Sequence, residues 1–279
     1  MGLNYNDIRC LLDWRGGRSG GAVVTLGRQQ VFLHDKQRRL LRPALAGNAA
    51  ALAWLDSCKM GDYAEQMFRQ VFRFERVESI DFSSYEDATV VQDISAPLPP
   101  DLIGQFDIAI DGGTLEHVFN YPAGLANLMR LVRVGGSVYT QNPCNGMAGH
   151  GFYQLSPELL YRVFSPENGF KIDFVRTSVS KTFVVERTVN QPVYNVTDPV
   201  EMGERVMVPS RSPTLLMCLA HKVSDVEPFA RPPLQSDYVP KWGGAAPQLN
   251  WKGRIANIFP PIRWAISRAK NARAFSRAW

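Results

Sequence analysis

The 279 residues are 45% hydrophobic and 20% charged, which excludes a disordered or fibrous chain and suits one large domain with an appendage. The net charge of +5 is uneven: residues 251–279 carry seven basic side chains and no acid, so the preceding residues are slightly acidic. Cys10, Cys58, Cys144 and Cys218 form no CxxC pair, so neither a disulfide framework nor a metal site is expected. Charged residues among the first thirty positions (Asp7, Arg9, Asp13, Arg15, Arg18) interrupt any signal-peptide core. No stretch reaches the ~18 apolar residues of a membrane span, and a cytoplasmic protein is expected.

In chain order, AVVTLG at 22–27 is a β-branched run closed by glycine, the pattern of a buried strand entering a tight turn. Residues 36–76 have helical character, and in DYAEQMFRQVFRF the spacing of Tyr63, Met67, Val71 and Phe74 predicts a helix with one buried face. VESID (77–81) and TVVQD (89–93) are short strands, each ending in aspartate. FDIAID (106–111) is another, and Gly112 and Gly113 force a turn after it. Asn120 and Pro122 open a helix whose stripe of Leu125, Leu128, Met129 and Val132 stops at Gly135 and Gly136, after which 137–140 resumes as strand. Ser156 and Pro157 open a helix over 159–164, and 170–175 and 214–220 are the strands that close the sheet. Strands alternating with helices predict a parallel sheet covered on both faces.

The plan is therefore an α/β domain over 1–223, a linker or arm over 224–250 and a basic C-terminal helix over 251–279. The domain contains a polar, proline-punctuated insertion at about 176–213 that is expected to help form a substrate pocket. The linker is marked by Pro228, Pro232, Pro233, Pro240 and Pro247. Tryptophans among the tail's arginines suit peripheral contact with an anionic inner membrane face, or docking on the same domain or a second copy in a homo-oligomer. No nucleic-acid motif is present.

Parallel α/β sheets bind ligands beyond the carboxyl ends of their strands. Gly27, Asp81, Asp93 and the run Asp111, Gly112, Gly113 stand at four such ends. A nucleoside needs a carboxylate for its ribose hydroxyls, an acid or amide near its base, and glycine where backbone approaches closely. Glu116 and His117 follow the last of these turns, and GHGFYQ (149–154) places His150 and Tyr153 on a glycine-flanked loop. Imidazole titrates near neutral pH and can serve as a base. The loop reads either as an acceptor site or as a rigid turn packed by Phe152 and Tyr153.

The segments IDFSSYEDATVVQDI, FDIAIDGGTLEHVFN and GHGFYQLSPEL resemble bacterial proteins of the class I S-adenosylmethionine-dependent methyltransferase superfamily, and the strand pattern extends the resemblance to about residues 20–223. The resemblance implies a Rossmann-like sheet, mostly parallel with an antiparallel last strand and helices on both faces, and S-adenosylmethionine as cofactor. It implies Asp81 on the ribose, Asp93 with Ile94 on the adenine, and Asp111, Gly112 and Gly113 on the methionine side. The first loop, Thr25-Leu26-Gly27-Arg28-Gln29-Gln30, has a single glycine where an acid and a GxGxG-like run are usual. Gly27 and Arg28 stand in for that run, with Arg28 reaching toward the cofactor carboxylate. Methyl transfer to a small-molecule or glycan-type acceptor would then use Glu116, His117, His150 and Tyr153 around the acceptor. The single-glycine loop also fits a second reading, a methyltransferase-like binding or scaffolding protein. A dinucleotide oxidoreductase is disfavoured because no GxGxxG follows the first strand.

Overall fold

The computed structural model describes residues 2–16, 19–180, 191–208, 210, 212–238 and 271–279. The chain starts with β1 (Gly2–Asn4) and α1 (Tyr5–Arg15), which no separate signal in the sequence announced. Asn4 caps α1 by accepting from the Asn6 amide, and Asp7 answers by accepting from the Asn4 amide, a reciprocal capping box. β2 (Ala22–Leu26) follows, then β3 (Gln30–Phe32), which pairs in parallel with β1. Helices α2 (Asp35–Leu41), α3 (Ala49–Ser57) and α4 (Glu65–Gln70) fill the long gap before β4 (Arg76–Asp81) and the short β5 (Val90–Val91).

Next come β6 (Phe106–Gly112), a 3₁₀ turn at Leu115–His117, α5 (Tyr121–Leu131), the long β7 (Val132–Asn145), α6 (Pro157–Val163) and β8 (Phe170–Val179). After these lie β9 (Val193–Val196), α7 (Pro199–Met202), β10 (Thr214–Lys222) and β11 (Phe275–Arg277).

The main sheet has the order β11-β9-β8-β10-β7-β6-β2-β4-β5. From β5 to β7 neighbours are parallel, and β10 runs antiparallel between β7 and β8. The strand order reverses at β2, whose neighbours β4 and β6 lead away in opposite directions, so the crevice beyond the carboxyl ends of β2 and β6 is where a ligand has room. Successive residues of β2 serve opposite faces: Val23 joins the core packed by α1, α3 and α4, whereas Val24 and Leu26 join the core packed by α5 and α6. The stripe of α5 is seated as its periodicity predicts, with Leu125, Leu128 and Met129 all buried. Truncating such a leucine to alanine costs about 2–5 kcal/mol.

Several expectations are corrected. The helix foreseen over residues 62–74 closes after Gln70, because Arg73 turns left-handed (φ 56°) and the Arg15 guanidinium takes the carbonyls of Phe72 at 2.7 Å and Arg73 at 3.3 Å. Asn120 precedes α5 as foreseen, but its side chain makes no capping bond, whereas Ser156 does cap α6 by accepting from the Leu159 amide. The described part of the insertion builds β9 and α7 at the far edge of the sheet rather than a pocket wall; residues 181–190 lie outside the described residues. Residues 224–238 are irregular, as expected of an arm, and pack back through the Ser236 amide on Glu158. The basic helix does not extend to the end of the sequence. Phe275–Arg277 is a strand on β9, and Trp279 lies under the guanidinium groups of Arg9 and Arg176. Residues 239–270, which hold most of the tail and part of the arm, lie outside the described residues. Among the described residues no helix is long and apolar enough to cross a membrane.

Candidate functional site

Two cavities open at the carboxyl ends of the central strands. The larger, about 570 Å³, lies at the ends of β2, β4 and β5 against the turn after β6, and its lining includes Gly27, Asp81, Phe82, Asp93, Ile94 and His117. Small-molecule sites run from roughly 300 to 1,000 Å³, so this one has the size of a cofactor pocket. Gly27 turns there in the left-handed region (φ 66°), with its amide on the Ile80 carbonyl at 2.7 Å. Asp81 and Asp93 use one oxygen each to hold their own turns. Asp81 accepts from the Ser83 amide at 3.2 Å, and Asp93 accepts from the Ser95 amide and hydroxyl, both at 2.8 Å. The second oxygen of each has no partner among the described residues, leaving two acceptors at the wall of one cavity.

The smaller cavity, about 110 Å³, is bounded by β1, by the turn after β6 and by the 146–151 loop. Gly113, Glu116, His117, Gln141 and His150 line it, and His117 lines both cavities. Glu116 is 1% exposed, and its Oε2 accepts from Asn142 Nδ2 at 3.0 Å. The same amide nitrogen reaches Asp111 Oδ2 at 2.7 Å, so one asparagine bridges two buried carboxyls. Burial pushes both of these acids above the ordinary carboxylate range, and Glu116 is raised further by the Asp111 charge. His117 is shifted the other way, by partial burial and then by the neighbouring His150, which keeps its ring neutral and able to accept a proton.

The second glycine of the GHG run has a definite task. The amides of Phe152 and Tyr153 donate to the Glu116 carbonyl at 2.8 and 3.3 Å, clamping the loop onto the 3₁₀ turn. Gly151 (φ 83°) permits that approach, since a Cβ there would stand 2.9 Å from the Glu116 carbonyl oxygen and 3.0 Å from His117 Nδ1. The His150 ring thereby faces His117 with centroids 5.1 Å apart. Glu116 Oε1 lies 3.7 Å from His150 Nε2 and 4.0 Å from His117 Nε2. The loop is the rigid turn of the second reading, and it sets His150 opposite His117. One potential ligand atom from each of Glu116, His117 and His150 lies within 4.8 Å of the others, a grouping that cysteine spacing does not address.

Four of the candidate residues are employed otherwise than expected. Arg28 lines neither cavity: its Nε bonds Glu65 at 2.6 Å, its Nη1 donates to the Glu86 carbonyl, and its guanidinium lies 3.7 Å over the Tyr63 ring. The Asp111 carboxylate is wholly buried and accepts from the amides of Thr114 and Leu115, so it braces the turn. Gly112 makes room for protein, because a Cβ there would collide with Gln29 Oε1 and stand 3.1 Å from Leu3 Cδ2. Tyr153 donates its hydroxyl to the Phe119 carbonyl at 2.7 Å and is a brace for the loop.

Sequence reasoning missed Asn142, Gln141 and Asn4. The first two were signalled by a polar Gln-Asn pair at the carboxyl end of an apolar strand. Asn4 carried no signal, since it reaches the site only because β1 folds over β3.

No family model and no curated protein matches the chain. Among solved structures it is similar to the Burkholderia thailandensis 1,6-didemethyltoxoflavin-N1-methyltransferase with bound 1,6-didemethyltoxoflavin and S-adenosylhomocysteine, at 14% identity over 79% of this chain and 78% of that one, with a TM-score of 0.41. It is similar to the N-methyltransferase NodS from Bradyrhizobium japonicum in complex with S-adenosylhomocysteine at 10% identity, over 79% and 86% of the two chains, with a TM-score of 0.41. A third is a mutant of the 16S rRNA (adenine(1408)-N(1))-methyltransferase from Catenulisporales acidiphilia, at 12% identity over 80% and 94%, with a TM-score of 0.37. The antiparallel β10 set between β7 and β8 and the crevice at the β2/β6 switch are those of the Rossmann-like, mostly parallel sheet that the sequence resemblance implies.

Proposed function

We propose that the chain is an S-adenosylmethionine-dependent methyltransferase acting on a small molecule or a glycan precursor. The supporting observation is one juxtaposition: a cofactor-sized cavity walled by Asp81 and Asp93 meets, at His117, a second cavity lined by Glu116 and His150. The residues present fit the nucleoside half of the cofactor. Asp81 has one oxygen free for ribose hydroxyls, Asp93 has one free for an amino group, and Ile94 and the 77%-exposed Phe82 offer apolar surface to a base. When bound, S-adenosylmethionine supplies a methyl group activated by a sulfonium sulfur. The chain's own part is to orient the acceptor and take its proton. His117 is the base in this reading, because it faces both cavities and its ring is held neutral. The 110 Å³ of the second cavity favours a small acceptor group.

The substituted first loop supports the second reading, a binding or scaffolding protein on the same fold. Arg28 would have to abandon Glu65 and Tyr63 to reach a cofactor carboxylate. Calorimetric titration of the full chain with S-adenosylmethionine, S-adenosylhomocysteine and NAD separates the two: micromolar binding of both sulfur nucleosides and none of NAD is expected. Absence of binding would leave the scaffold reading standing. Peripheral membrane contact is proposed only for the basic residues of the tail. Vesicle binding that survives replacement of Lys252, Arg254, Arg263, Arg268 and Lys270 by glutamine removes it.

A further inference from the structure

We propose that Glu116, His117 and His150 form a divalent-metal site with one carboxylate and two imidazole ligands, suited to Zn²⁺ or a cation of similar preference. One ligand atom from each of the three lies within 4.8 Å of the others, and the two contacts to Glu116 Oε1 are 3.7 and 4.0 Å. Ligands bound tetrahedrally at about 2.0–2.1 Å stand roughly 3.4 Å apart, so the three atoms must close by about 0.3 Å to at most about 1.4 Å. The two imidazoles can supply that movement, since their side chains are 45% and 51% exposed.

The support around the cluster is what a metal ligand set needs. Asn142 fixes Glu116 Oε2 and leaves Oε1 toward the rings, and outer partners of this kind orient ligands. The clamp from the Phe152 and Tyr153 amides, with the glycine at 151, holds His150 opposite His117 from a different segment of the chain. Two imidazoles and one carboxylate form a donor set of intermediate softness that takes zinc and neighbouring transition metals in preference to calcium or magnesium. With three protein ligands, at least one coordination position remains, and the smaller cavity lies beside it, lined also by Asn4, Phe32 and Met147. An open position marks a catalytic rather than a structural ion. With the ion bound His117 is a ligand and not the base, and the ion would instead ease loss of the proton from a donor atom of the methyl acceptor in this position; that step rests on the methyltransferase reading, the metal site itself does not.

The test uses the full chain, stripped with a chelator and free of nucleoside. Zn²⁺ is titrated in competition with a chromophoric chelator, and Co²⁺ is followed by its visible absorption. One ion per chain is expected, weakened at least tenfold by His150→Ala, since losing a ligand costs no less than losing an outer partner, which is worth about 10–100-fold. His150 sits on a half-exposed loop, so this variant keeps the fold where Glu116→Gln need not. The His34→Ala/His221→Ala double variant, which removes the chain's other two histidines, should bind as the parent does. Equal affinity in the parent and His150→Ala, no stoichiometric binding, or loss in the control variant overturns the proposal. S-adenosylhomocysteine titrated into the same preparation keeps the two readings apart. Zinc without nucleoside binding retains the metal site alone, and nucleoside without zinc retains only the methyltransferase.

Discussion

The two cavities share a wall at His117 but are built on opposite principles. The larger is made by residues that organise themselves locally: Asp81 and Asp93 each hold a turn through an amide two positions on, and both remain partly exposed. The smaller stands on buried polar groups drawn from distant segments: Asn4 from β1 and Asp7 from the first helix, Asp111 from the end of β6 and Glu116 from the turn after it, Gln141 and Asn142 from β7. Local sites put little of the fold's stability at risk. Convergent ones bind the site's geometry to the stability of the whole domain, because each unpaired buried group carries a desolvation cost.

The sharpest way to break this contrast is through Asp7, whose burial pushes it up to about 7 although it accepts from the Tyr139 hydroxyl and the Asn4 amide. An acid raised from 3.8 in this way favours the folded state fully below pH 3.8, and that contribution is lost as pH rises through 7. Its share of the change is on the order of 4 kcal/mol. Asp7→Asn should flatten the fall in chemical-denaturation stability between pH 4 and 7 relative to the parent. Superimposable slopes would show that Asp7 is not the buried acid described. Asn142→Ala removes the bridge between Asp111 and Glu116 and should destabilise by about 3 kcal/mol in the same assay. A loss under about 1 kcal/mol would mean that the buried carboxyls have found another partner.

On the side of the larger cavity the pattern reverses. Asp81→Ala should leave the melting temperature near that of the parent and weaken S-adenosylhomocysteine binding by about 10- to 100-fold, the loss of charge-assisted hydrogen bonds to the ribose. Unchanged affinity would remove the ribose assignment. The smallest effect is expected of Arg28→Ala. With its side chain engaged by Glu65 and Tyr63, nucleoside affinity should change by less than about twofold and stability by about 1 kcal/mol or less. A large drop in affinity would restore Arg28 as a cofactor ligand.

The same contrast explains what was legible in the sequence. Alternating strands and helices and the aspartates at strand ends are short-range signals, and they pointed to the sheet and the larger cavity. The helix over residues 62–74 was overdrawn because Arg15, 57 residues away from Phe72, takes the carbonyls that would have continued it. Arg28 and Gly112 were assigned by position along the strand, but Glu65 and Gln29 occupy the space around them. His150 was visible as part of a motif; that it faces His117 depends on backbone bonds from Phe152 and Tyr153 to Glu116, which no local pattern encodes. The docking of Trp279 between Arg9 and Arg176 was likewise hidden in contacts made across the whole chain.

A crystal structure of the full chain with S-adenosylhomocysteine would locate the nucleoside directly. The ribose hydroxyls are expected on Asp81 and the adenine between Phe82 and Ile94 with its amino group toward Asp93, leaving the smaller cavity to the acceptor. A nucleoside seated away from Asp81, or filling the cavity beside Glu116 and His150, would contradict it.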